Sequence, residues 1–133
     1  VNNFSKGVLY WVEIADYDLE TAEAMLITKR YLYVGFMCHQ AIEKLLKACY
    51  VNALKEIAPY THNLARLAIQ AKIYDRLNDE QKDLFDTLEP LNIEARYPTK
   101  KETVLKSLNE EKCAELINKT KELSQWIKTQ LSL

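Results

Sequence analysis

The sequence predicts an all-α fold, an up-down antiparallel bundle of four to five helices, and three observations carry that prediction. Apolar residues recur at spacings of three and four through most of the chain. Only two glycines and three prolines interrupt the 133 residues, which favours long helices and short connections. No run alternates with the period of two that a half-buried strand needs. The length fits one domain, residues 1–133. With 48% apolar and 28% charged residues, the chain is too apolar for disorder.

The first helix spans residues 7–28, with Val8, Trp11, Val12, Ala15, Leu19, Ala22 and Leu26 on one face. Glu13, Asp16, Glu20 and Glu23 form a second, acidic face, but Asp18 falls on the margin of the apolar one. An acid in that place needs a partner or a water path. The second and most hydrophobic helix covers 31–54. Pro59 then ends the preceding structure, and Thr61 is placed to cap a helix from His62 to about Ile73. Asp79 to Leu88 makes a shorter helix, with Leu84, Phe85 and Leu88 inward and Pro90 as its stop. The stretch NIEARYPTKKET reads as a short helical turn followed by a loop at Pro98. The last helix runs from Asn109 to Gln130 on a stripe of Cys113, Leu116, Ile117, Thr120, Leu123 and Ile127.

The formal net charge is −1, and no basic patch marks a protein that lives on a phosphate backbone. The three cysteines form no C-x-x-C pair. Cys38 and Cys49 share one helix at a separation of roughly 16 Å, beyond disulfide reach. Reduced, buried thiols and a cytoplasmic location are therefore expected. Neither a signal peptide nor an apolar stretch long enough to span a bilayer is visible, so no membrane association is expected.

Five polar residues interrupt the second helix: His39, Gln40, Glu43, Lys44 and Lys47. Stepping about 100° per residue places all five within one arc of roughly 140°. One reading makes the arc a solvated face whose ion pairs contribute a few tenths of a kcal/mol each. The other makes it a subunit interface or a ligand cleft, because Leu32, Phe36 and Tyr50 lie in the same arc at its ends.

Four segments, in order, resemble the HEPN domain family. They are ADYDLETAEAML at 15–26, YLYVGFMCHQAIEKLLKACYV at 31–51, PYTHNLARL at 59–67, and ARYP at 95–98 ahead of a long last helix. The second is the most specific, a polar pair followed by AIEKLLKA. The resemblance implies an all-α bundle that forms a homodimer, in one of two functional groups. Some members are metal-independent endoribonucleases, often toxins, with an R-x(4–6)-H motif whose arginine and histidine meet across the dimer. Others partner a minimal nucleotidyltransferase in a toxin–antitoxin-like pair, and bind nucleotide or another substrate.

The ribonuclease motif would need arginine at 32–34 to serve His39, or at 55–57 to serve His62. The chain has Leu32, Tyr33 and Val34, then Lys55, Glu56 and Ile57. A lysine does not supply the flat guanidinium fork. The expectation is thus a non-catalytic module that takes a nucleotide or a partner protein on Gln40, Glu43, Lys44 and Lys47, with Arg96 and Tyr97 nearby. His39 and His62 stay the catalytic candidates of an alternative, a divergent ribonuclease acting on RNA; a purely structural dimerising bundle is the third reading. His39 and Glu43 at i,i+4 are two ligands short of a metal site, so neither a metal nor a cofactor is expected. His62 either organises a helix start or helps hold an anion there. Arg96 either pairs with Asp18 or grips phosphate.

Overall fold

A computed structural model describes residues 3–92 and 98–131, with side chains over 5–92 and 102–131. These residues form α1 (Asn3–Ile27), α2 (Tyr31–Leu54), α3 (Leu64–Gln70), α4 (Asp79–Leu88), α5 (Pro98–Ser107) and α6 (Glu110–Gln130). Two 3-10 turns, Tyr74–Arg76 and Glu89–Leu91, complete the order, and no strand occurs among the described residues. The all-α class and the bounds of α2 and α4 match the sequence periodicity.

A three-residue link turns the chain between α1 and α2. Lys29 takes the left-handed conformation there (φ 61°), while the Thr28 hydroxyl donates back to the Ala24 carbonyl at 3.0 Å. The hairpin is antiparallel over its length: Gly7 faces Val51, Trp11 faces Lys47 and Asp18 faces Lys44. On its other side α1 meets α6, where Lys128 pairs with Asp16 at 2.7 Å and Lys121 with Glu23. These pairs make α1 antiparallel to α6 as well, so α2 and α6 run the same way. The start of α1 and the end of α6 consequently meet, and Ser5, Val8 and Leu9 share a hollow with Asn52, Lys55 and Leu131.

The central helix is α2, which packs against α1, α6 and α3. Ile42, Leu45 and Leu46 join Leu64, Leu67, Phe85, Leu88 and Ile127 in one continuous core. Cys38, Cys49 and Cys113 are free and buried in it. Burial pushes the thiols of Cys38 and Cys49 up to about 12, which keeps them protonated and unreactive.

Two local expectations are corrected. The third helix is shorter than 62–73, because Asn63 and not Thr61 caps it: the Asn63 side chain accepts from the Arg66 N–H at 2.8 Å. Thr61 instead accepts from the Asn63 N–H, and left-handed Lys72 (φ 65°) follows the helix end. Pro98 opens a helix where a loop was expected. Its fixed φ and missing N–H are both compatible with a first helical position.

Candidate functional site

Residues 55–63 are irregular and lie as a strap across the polar arc of α2. Left-handed Lys55 (φ 55°) ends α2 with its N–H on the Val51 carbonyl. Glu56 then accepts from the Tyr50 hydroxyl at 3.1 Å, and Ala58 is buried. His62, 64% exposed, hydrogen-bonds through Nδ1 to Glu43 Oε1 at 2.9 Å. From the other side α1 contributes Trp11 and Asp18. The arc therefore forms the floor of a seam between α1 and the strap.

Glu43 is the hub of that seam. Its side chain is only 2% exposed, and its second oxygen accepts from Lys47 Nζ at 3.2 Å. The Lys47 ammonium lies 5.5 Å from the Trp11 ring centroid, a cation–π approach. Lys44 donates to Asp18 at 2.9 Å and to Gln40 Oε1 at 3.2 Å. Gln40 in turn donates to the Asn92 side chain at 3.2 Å. The marginal acid Asp18 thus has Lys44 as a partner. Arg96 and Tyr97 lie outside the described residues.

The solvated-face reading of the arc is corrected by this geometry. His39, Glu43 and Lys47 are buried, and Gln40 and Lys44 are half-buried. The helical wheel placed them together correctly, but two neighbouring segments cover them. The structure also adds Glu89, which no pattern in the sequence connected to the arc. Its Oε1 accepts the Leu64 N–H at the start of α3, and its Oε2 stands 3.8 Å from His39 Nε2. The one available signal was an acid immediately before Pro90, where the preceding helix is expected to end.

His39 is fully buried; among the described residues neither ring nitrogen has a side-chain hydrogen-bond partner, and the main chain of His62 lies beside the ring. Desolvation lowers it to about 4, against the opposing pull of Glu43. It is thus a neutral imidazole at physiological pH, withdrawn from solvent. Glu89 is shifted the other way, raised mainly by burial and further by Glu43 and Asp86, while the Leu64 N–H pulls it down.

The HEPN domain model matches residues 8–130, nearly the whole chain. The chain belongs to the HEPN domain family. Comparison with curated proteins and with solved structures yielded no significant match. Within this HEPN domain the two histidines have unlike settings: His39 is sealed beneath the strap, and His62 stands at its edge with one nitrogen fixed by Glu43. Neither has an arginine at the R-x(4–6)-H spacing. Among the described residues no group of three or more His, Cys, Asp or Glu is arranged to hold a metal ion, and no helix is long and apolar enough to cross a membrane.

Proposed function

We propose that this HEPN domain is a non-catalytic binding module that docks a partner protein, a minimal nucleotidyltransferase, over the strap. The observation that carries the reading is a division of labour at the seam. The charges of Glu43, Lys44 and Lys47 are already paired inside the chain. Above them the strap holds Ile57 and Tyr60 at 88% and 92% exposure. Large apolar and aromatic side chains held out to solvent beside a rigid polar floor are the anchors a protein interface uses. Truncating such anchors typically weakens binding by about 2 kcal/mol or more, some thirty-fold in affinity. Co-expression with a minimal nucleotidyltransferase is expected to give a co-purifying complex that Tyr60→Ala with Ile57→Ser disrupts. A complex indifferent to both changes would place docking elsewhere.

Nucleotide binding is a second reading, favoured by Lys44, whose side chain keeps some exposure at the open edge of the seam. Here ATP titrated by calorimetry is expected to bind the wild-type protein and to bind Lys44→Ala and Lys47→Ala at least ten-fold more weakly. Binding equal in all three proteins would remove the arc from this role. Homodimerisation, implied by the family, belongs with these proposals.

A further inference from the structure

The outer side of α1 carries a stripe left open to solvent. Tyr10, Ile14, Tyr17, Thr21, Ala24 and Thr28 follow one another at steps of four and three, within an arc of about 80° and over about 27 Å. They lie on the side turned away from Val8, Ala15 and Ala22, which α1 buries in the core. Tyr10 and Tyr17 are 58% and 69% exposed, while Ile14 and Thr21 are half-buried. The Tyr10 ring is braced edge-on against Trp11, with centroids 5.6 Å apart.

The two threonines do not make the stripe polar. The Thr21 hydroxyl donates to the Tyr17 carbonyl at 2.9 Å and the Thr28 hydroxyl to the Ala24 carbonyl at 3.0 Å, so each is satisfied within α1. No charged residue falls within the arc between Tyr10 and Thr28. Alternating steps of four and three form the seam that one helix offers to another.

The edges of the stripe differ. On one side Trp11 and Asp18 belong to the seam beneath the strap, where Lys44 holds Asp18. On the other stand Glu13 and Glu20, both exposed. Their neighbours Asp16 and Glu23 are paired with Lys128 and Lys121 of α6. Glu13 and Glu20 have no ion pair among the described residues. This asymmetry bears on what fits the stripe. Two antiparallel copies of α1 about a two-fold axis bring like edges together, Glu13 against Glu20. Parallel copies set the glutamates against the Asp18 edge, whose lysine is already taken. A foreign helix with basic residues on its edge meets them with opposite charge.

We propose that the outer face of α1 is a docking site for one amphipathic helix of a partner protein, with an apolar stripe and lysine or arginine along the edge that meets Glu13 and Glu20. The tyrosines are the anchors, and the two glutamates set direction and register. The stripe lies outside the strap and its seam, so the proposal does not rest on docking there.

A labelled synthetic peptide of about 21 residues, helical, with leucine on its seam and lysine on both edges, tests this by fluorescence anisotropy. The wild-type protein is expected to bind it about ten-fold more tightly than a version with glutamate edges. Tyr10→Ser with Tyr17→Ser removes the anchors without adding charge, and is expected to weaken the lysine peptide about thirty-fold. Glu13→Lys with Glu20→Lys reverses the preference between the two peptides. The strap variant Tyr60→Ala with Ile57→Ser binds as the wild type does. All these positions are exposed, and circular dichroism confirms that each variant stays folded. Failure of the wild-type protein to bind the lysine peptide overturns the proposal, as does equal binding by the tyrosine variant. So does a peptide preference that survives the charge reversal. A change in the oligomeric state of the tyrosine variant alone, measured by sedimentation, would assign the face to a second copy and equally overturn it.

Discussion

Glu43→Ala is expected to lower the free energy of unfolding by about 3–5 kcal/mol, the loss typical of breaking a buried ion pair from one side. Glu43 and Lys47 are both withdrawn from water, with side chains 2% and 8% exposed. Removing the carboxylate leaves the Lys47 ammonium beside the Trp11 ring without a counter-charge, and frees His62 from α2. Lys47→Met should do less damage, since Glu43 keeps its bond to His62. The double variant Glu43→Leu with Lys47→Met should recover much of the loss, because neither charge then remains to be desolvated. Urea denaturation followed by circular dichroism, with an unchanged m-value, measures all three. A loss below about 1 kcal/mol for Glu43→Ala would mean that the pair behaves as a hydrated surface bridge.

Phe85→Ala is expected to be comparably severe, about 3–5 kcal/mol. Phe85 is among the largest fully buried side chains and lies on the inner face of α4 with Leu84 and Leu88. The capping box of α4, in which Asn78 and Gln81 satisfy each other's N–H groups, fixes where the helix starts but contributes only about 1 kcal/mol. Burial of the ring is what holds the short helix down. Phe85→Leu refills most of the space and should retain over half of the lost stability in the same denaturation experiment. Equal losses for alanine and leucine would point to shape complementarity, with volume secondary.

Periodicity made the framework legible because it reports a property of each helix alone. The limits of α2 and α4 follow from local signals: Pro90 beyond the end of one, and a hydrophobic run without breakers in the other. The arc on α2 was legible for the same reason, since angular position on a helix needs only the residue number. What covers an arc is a tertiary fact. The strap reaches Glu43 from nineteen positions away, and Gln40 meets Asn92 across fifty-two. Neither pairing leaves a trace in local spacing.

Asp18 shows the boundary most clearly. Its position on the margin of an apolar face announced that a partner was needed, and burial in the α1–α2 seam made that need real. That Lys44 answers it depended on the register of the hairpin, which a three-residue link sets but a sequence does not print. Thr61 and Asn63 illustrate a finer limit. Both are good capping residues, and only the path of the strap decides which one can reach a free N–H.

The meeting of the start of α1 and the end of α6 beside Lys55 has a topological consequence. Because α1 begins where α6 finishes, a short peptide bridging them would not need to cross the bundle. A circular permutant opened at the exposed turn of residues 28–30 would then keep every core contact. By the same geometry, Ser5 and Leu131 share one hollow with Lys55, so a bulky group placed on either helix end there would crowd the first residue of the strap.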